Sequence, residues 1–279
     1  MRVIRGIVAI VAALALASCG VNKDRQESQL VSELGAIDGV DRVEVTFHAT
    51  AGGLASAPAP KVHGRDDLSP AEAQRVVRRA LERVADLDMG VTQFRYQQRI
   101  GTGTFDLYVY KQFREPPFDG ATFSSLFDEI GRGAQEVKWD SGRCDMAAHG
   151  PAPQLSEWFD APQPKGCAIS VRTWSDGGGE VRNAGGLLSL QQLAPIVEDG
   201  KVGVVEDGDR MLSVHPADGV KAEQLAEQIA SVVGDLPSGH VISVSNEELV
   251  VVADGKVALR PDWQNVESKA LVEAINAHL

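Results

Sequence analysis

Eleven consecutive apolar residues, Ile7 to Ala17 (IVAIVAALALA), decide how much of this chain takes part in folding. A helix rises about 1.5 Å per residue, so the run covers roughly 17 Å and falls short of a ~30 Å hydrocarbon core. Arg2 and Arg5 precede it with no acidic residue, and small residues close it. A basic start, a short apolar middle and a small-residue end are the plan of an export signal, which is set aside from fold reasoning. Residues 1–18 are therefore read as a signal peptide.

That segment ends in Leu16-Ala17-Ser18-Cys19: an aliphatic residue, two small ones, then cysteine. Over these first nineteen residues the chain resembles the lipobox of bacterial prolipoproteins. The resemblance implies cleavage between Ser18 and Cys19 and a diacylglycerol thioether on the Cys19 sulfur. It also implies a new amino group open to a further acyl chain such as palmitate. The residue chemistry agrees. A thiolate is the nucleophile that alkylation needs. Each buried methylene contributes about 0.8 kcal/mol, so two or more chains hold a protein firmly. The expectation is a lipoprotein anchored at the extracytoplasmic face of a cell membrane.

Charge narrows the partners. The chain carries 27 Lys and Arg against 39 Asp and Glu, a formal net charge of −12. Loss of Arg2 and Arg5 with the signal peptide makes the mature chain more acidic still. An acidic surface argues against nucleic acid and against electrostatic docking on anionic lipid. Lipid, not charge, would hold this protein at the membrane, within reach of an envelope protein or the cell wall.

With Cys19 assigned to the anchor, Cys144 and Cys167 remain. An exported protein sits in an oxidising space, where a disulfide between them closes a loop of about 24 residues. In the chain-entropy account such a loop stabilises by roughly 3 kcal/mol. Two separate buried thiols are the competing arrangement. A metal pair is disfavoured, because there is no CxxC and no histidine cluster nearby.

Residues 19–28 are polar and carry no periodic pattern, so they read as a lipidated tether, with folding beginning near Gln29. Leu30, Val31, Leu34 and Ile37 then share a helical face, and Val43, Val45 and Phe47 alternate as in a strand. Residues 49–68, rich in Ala, Gly and Pro, read as a long exposed loop. Ser69, Pro70 and Glu72 have the spacing of a helix start with a capping box. Its buried stripe is expected to run Val76, Val77, Ala80, Leu81, Val84 and Leu87. An aromatic-rich hairpin follows over Val91–Gln98 and Thr104–Lys111, and Pro116-Pro117 marks a domain boundary.

Beyond that boundary, helix and strand patterns alternate to a final helix at Val266–Leu279, with Asp254-Gly255 a strong hairpin turn. The segments 71–96 and 222–245 share one pattern, as do 29–45 and 191–205, which suggests an internal repeat. The order predicts an α+β fold of two tandem open-faced sandwich-like modules, 29–115 and 116–279. Their sheets are expected to be mostly antiparallel, with helices on one face.

The chain contains no GxSxG elbow, HExxH helix, Walker loop or EF-hand loop, and its paired glycines lack the setting of a dinucleotide loop. His48 and His63, with Asp66 and Asp67, are a conceivable metal cluster if the 49–68 loop brings them together. Arg75, Arg78, Arg79 and Arg83 are either an anion site or a solvated helix face. Trp139, Trp158, Trp174 and Trp263 are either a sugar platform or core. Asp199, Asp207 and Asp254, each beside a glycine, read as turn residues. No catalytic, cofactor-binding or metal residue is assigned. The reading is a non-enzymatic binding or interaction module. The alternatives are an envelope hydrolase with a site no linear motif shows, and a lipid carrier with an apolar cavity between helices and sheet.

Overall fold

The computed structural model describes residues 22–49, 56–110, 118–198, 200–245, 247–252, 254–259 and 266–279. The signal segment, Cys19, Pro116-Pro117, Asp199 and Trp263 lie outside them. Among the described residues no helix is long and apolar enough to cross a membrane.

The fold is mixed α/β, and the chain forms two compact units that change over between Phe127 and Asp128. Trp139–Ser141 belong with the first unit. In the first unit, helix α1 covers residues 22–35, seven residues ahead of the expected start at Gln29. Strands β1 (Val40–Ala49) and β2 (Ser56–Gly64) precede helix α2 (Pro70–Leu87). Strands β3 (Gln93–Ile100) and β4 (Gly103–Tyr110) come next, then helix α3 (Gly120–Gly131), which runs across the changeover, and strand β5 (Glu136–Asp140).

The second unit continues with β6 (Arg143–His149), α4 (Ala152–Phe159), β7 (Ile169–Ser175), β8 (Glu180–Ala184) and α5 (Leu190–Glu198). Then come β9 (Val202–Gly208), β10 (Met211–Pro216), a 3₁₀ turn at Ala222–Leu225 and α6 (Ala226–Val233). The chain closes with β11 (Val241–Val244), β12 (Glu247–Val251), β13 (Val257–Leu259) and α7 (Val266–His278).

One rule generates the topology. Consecutive strands with no helix between them pair antiparallel, as in β1–β2, β3–β4, β7–β8, β9–β10 and β11–β12. Strands joined through a helix pair parallel: β2–β3, β6–β7, β8–β9 and β10–β11. The reason is geometric. A helix carries the chain back to the end of the sheet where the previous strand began, so the next strand runs the same way. The parallel pairs therefore accompany the hairpins at these four helical connections. The similar segments 71–96 and 222–245 each become a helix followed by such a strand.

Strand β2 takes up 56–64 of the loop expected over 49–68, of which 50–55 lie outside the described residues, and most of the strand is buried. Two prolines in a strand look prohibitive, because proline lacks a ladder N–H. Here Pro58 and Pro60 oppose Phe47 and Val45 of β1, while pairing with β3 begins only at Lys61. The missing N–H groups cost no bond on that second side.

Helix α2 starts as its sequence dictates. The Ser69 N–H donates to the Glu72 carboxylate at 2.9 Å, and the Glu72 N–H donates back to Ser69 Oγ at 3.4 Å. Ala73, Val76, Val77 and Ala80 are buried, but Leu81, Val84 and Leu87 are only half-buried. The apolar stripe thus loses its cover in the second half of the helix.

The hairpin alternates cleanly. Phe94, Tyr96, Phe105, Leu107 and Val109 are buried. Phe105 lies 5.5 Å from Phe123 and 5.3 Å from Phe127, ring centre to ring centre. Tyr108 and Tyr110 take the other face, where the Arg95 guanidinium sits 4.8 Å above the Tyr108 ring. Trp139, Trp158 and Trp174 are each about 1% exposed, so these three are core residues and not a sugar platform.

Candidate functional site

The second unit contains a polar cleft of about 370 Å³. Its walls are Asp160–Gln163, Ala168–Ser170 with Arg172, and Asn183–Gly186. The first wall follows the end of α4, the second is the start of β7, and the third is the end of β8 with the turn beyond it. Each wall is held by bonds that the chain makes with itself.

The disulfide is the first hold. Cys144 on β6 is bonded to Cys167, with Cα atoms 5.7 Å apart. The Gln163 amide donates to the Cys167 carbonyl, tying the first wall to the same point. Arg172 is the second hold. Its guanidinium donates to the carbonyls of Ala161 (2.6 Å) and Pro162 (2.9 Å). It also meets the Glu129 carboxylate at 3.2 Å. Arg172 and Glu129 are 5% and 2% exposed, so this is a buried pair whose charges cancel. Removing Glu129 strands the Arg172 charge in a poorly solvated place, whereas Glu129 has a second partner in Arg132 at 3.7 Å.

The third hold is a run of clamped amides. Gly185 and Gly186 donate to Asn183 Oδ1 at 2.9 and 3.1 Å. Leu188 donates to Asp207 Oδ2 at 2.7 Å. Ser189 donates to Gln192 Oε1 at 2.8 Å, and Leu190 to Asp160 Oδ1 at 2.9 Å. Five N–H groups between Gly185 and Leu190 thus end on side chains where α5 begins, and two of the acceptors are acids, favourably placed at a helix start.

Asp207 is fully buried, and burial pushes its carboxyl above the usual range. The Leu188 amide and the charge of His240 oppose that rise. Its Oδ1 and the buried Nε2 of His240 have no hydrogen-bond partner among the described residues. Burial raises Asp160 likewise, against the Leu190 amide and Arg172. Gly186 is obligatory here, because a Cβ would lie 2.0 Å from the Asp207 carboxyl.

Asp207 corrects its reading as a turn residue. Strand β9 runs on to Gly208, and its alternation turns Asp207 to the buried face with Val205. The tetrad of His48, His63, Asp66 and Asp67 does not assemble. His48 opposes Ala57 and His63 opposes Arg42, six residues apart along β1, or roughly 20 Å. The His63 ring meets Glu44 at 3.1 Å, and burial lowers its pKa. Asp66 binds Arg99 at 2.5 Å and Asp67 lies 3.4 Å from Arg65. Among the described residues no three acidic, histidine or cysteine side chains form a metal site. Of the helical arginines, Arg83 pairs with Glu33 at 2.6 Å and Arg75 with Glu72 at 3.8 Å.

Two further arrangements bear on function. His149 Nδ1 lies 3.2 Å from Ser175 Oγ at the exposed ends of β6 and β7, with no carboxylate bonded to the imidazole among the described residues. In the first unit, a 470 Å³ cavity opens under the uncovered half of α2, lined by Leu81, Val84, Met89, Val91, Phe94 and Val109.

The polar cleft was not read from the sequence, because its members span positions 129 to 207. Its local signals were the Asn183-Ala184-Gly185-Gly186 turn and the Ser189-to-Gln192 spacing of a capping box. In comparison with known proteins, no family model matches the chain, and neither does any curated protein or solved structure.

Proposed function

We propose that the chain is a cell-envelope lipoprotein, anchored through Cys19, whose folded part binds a partner and does not transform it. Its two units are read as tandem sandwich-like modules on a short tether. The carrying observation is the pre-set cleft of the second unit. A disulfide, a neutralised ion pair and five clamped amides fix its walls before any ligand arrives. Little ordering is then left to oppose association, which is how rigid sites gain affinity. A cleft of this size also falls within the range of small-ligand and side-chain pockets.

The test is a photo-crosslinker placed at Ile169, on the cleft wall, in the lipidated protein in intact envelopes. The binding reading expects one discrete adduct from Ile169 and none from the same group at Val31 in the first unit. Equal patterns from both positions, or none at Ile169, would refute it. Mass spectrometry of the mature N-terminus tests the anchor, and an unmodified start at any residue other than Cys19 would refute that part.

The 470 Å³ apolar cavity favours a second reading, a lipid carrier. Mass spectrometry of lipid extracted from the purified protein tests it. Stoichiometric lipid beyond the Cys19 anchor, lost on Val84→Glu, is the expected result; none bound would refute the carrier.

A further inference from the structure

Strand β7 is longer than one of its partners. It pairs with β6 over its whole length, Ile169 to Ser175. Its antiparallel ladder with β8 covers only Arg172 to Ser175. At Arg172 the ladder stops, because β8 turns away and pairs with β9 through Ala184 and Gly208. Ile169, Ser170 and Val171 are therefore sheet residues with a neighbouring strand on one side only. The open side of Ile169 and Ser170 borders the polar cleft, whose far rim is Ala184, Gly185 and Gly186.

An open strand side offers backbone N–H and C=O groups to any chain that arrives extended. The far rim does not compete for them, because Asn183 already takes the amides of Gly185 and Gly186. The notch is about three residues long, roughly 10 Å of strand. It admits a short segment and not a whole sheet edge. Two of the most exposed large apolar side chains stand beside it: Ile169, 56% exposed, and Leu187, 58% exposed and next to Gly186.

Charge selects the occupant. Arg172 is cancelled by Glu129, while Asp160 stands at the rim. The second unit carries 12 Lys and Arg against 23 Asp and Glu. A basic segment gains from that field, and an acidic one is repelled.

We propose that the notch beside Ile169–Val171 is a strand-addition site for a short, extended, basic segment of a partner protein. The site rests on the binding reading given above and adds the backbone chemistry of recognition. The partner strand takes the place that β8 leaves, its apolar residues meet Ile169 and Leu187, and its basic residues face Asp160.

The probe is a fluorescent, end-blocked hexapeptide of alternating lysine and valine, added to the full lipidated chain in detergent. Anisotropy should show saturable binding. Alternate backbone N-methylation of the same peptide should weaken it about tenfold, because ladder hydrogen bonds are lost while charge is kept. Glutamate in place of lysine, or Ile169→Asp in the protein, should also weaken it. Hydrogen exchange should slow at Ser170 or Val171. No saturable binding, equal binding of the N-methylated peptide, or protection confined to other strands would overturn strand addition. A discrete crosslink at Ile169 alongside any of those results would leave the cleft a binding site and remove only the strand mechanism.

Discussion

The two units follow one topological rule and are held together differently. The first is secured by rings, by ion pairs at its surface and by one buried chain from Tyr96 through Gln98 to the Leu68 carbonyl. Phe105, Phe123 and Phe127 pack against one another, and Arg83–Glu33 and Arg99–Asp66 lie exposed or half-exposed. The second places its polar bonds inside: a disulfide, a buried Arg172–Glu129 pair and a buried Asp207. Apolar packing holds a core without prescribing a unique surface shape. Buried polar bonds are directional, and they are costly if left incomplete. The difference teaches where precision is being held. Only the second unit fixes a cleft with such bonds, and its stability is exposed to mutation, reduction and pH in ways that the first is not.

The sharpest break in this comparison is Glu129→Ala. It strands the Arg172 charge in the interior and should destabilise the second unit by about 3–5 kcal/mol. The matching change in the first unit, Glu33→Ala, removes a solvent-screened partner of Arg83 and should cost about 1 kcal/mol or less. Urea unfolding monitored by hydrogen exchange, resolved by unit, reads both. Equal effects would show that the buried pair is not a structural centre.

Reduction comes next. Opening the Cys144–Cys167 bond frees a loop of about 24 residues and should cost about 3 kcal/mol. The loss should fall on the second unit, because both cysteines belong to it. Thermal melts with and without a reductant check this, and a fall in both units alike would contradict the division.

What was legible in the sequence was local. Ser69, Pro70 and Glu72 sit within four residues of one another, and their bonds form as the spacing requires. Cys144 and Cys167 pair as expected of two cysteines some two dozen residues apart. Strand β2 was hidden because proline ordinarily marks a loop. What rescues Pro58 and Pro60 is a neighbour that begins to pair only at Lys61, and local sequence carries no trace of that. The cleft was hidden for the same reason. Glu129, Asp160, Arg172, Asn183 and Asp207 are ordinary residues until the sheet brings them together. The stripe on α2 was over-read, because periodicity marks a face that can be buried and not whether anything covers it.

Acid should separate the units in opposite directions. In the first, hydrogen bonds from Ser69 to Glu72 and from Thr122 to Asp119 hold those carboxyls below their usual range, and burial holds His63 down. A carboxyl lowered by folding contributes stability above its unfolded pKa and loses it as pH falls through the folded one. A histidine kept neutral by burial follows the same sign. In the second, burial raises Asp160 and Asp207. A raised carboxyl favours the folded state at low pH, and that contribution is lost as pH rises through its folded pKa. Going from pH 7 to pH 4, hydrogen exchange should quicken in the first unit relative to the second. Asp207→Asn should stabilise the second unit at pH 7 and have little effect below pH 3.5. A destabilisation at pH 7 would mean that the anionic form is needed by the Leu188 amide.

The smallest effect concerns the helix starts. Ser69→Ala removes the hydroxyl that receives the Glu72 N–H and should cost about 1 kcal/mol, a common value for a lost cap. Ser189→Ala should cost a fraction of that. Its own N–H still reaches Gln192, Leu188 remains on Asp207, and Leu190 remains on Asp160. One helix start depends on a single reciprocal pair, and the other is shared among several side chains. If the two substitutions cost the same, the clamp at α5 is not shared, and the cleft rim it supports is no stiffer than an ordinary turn.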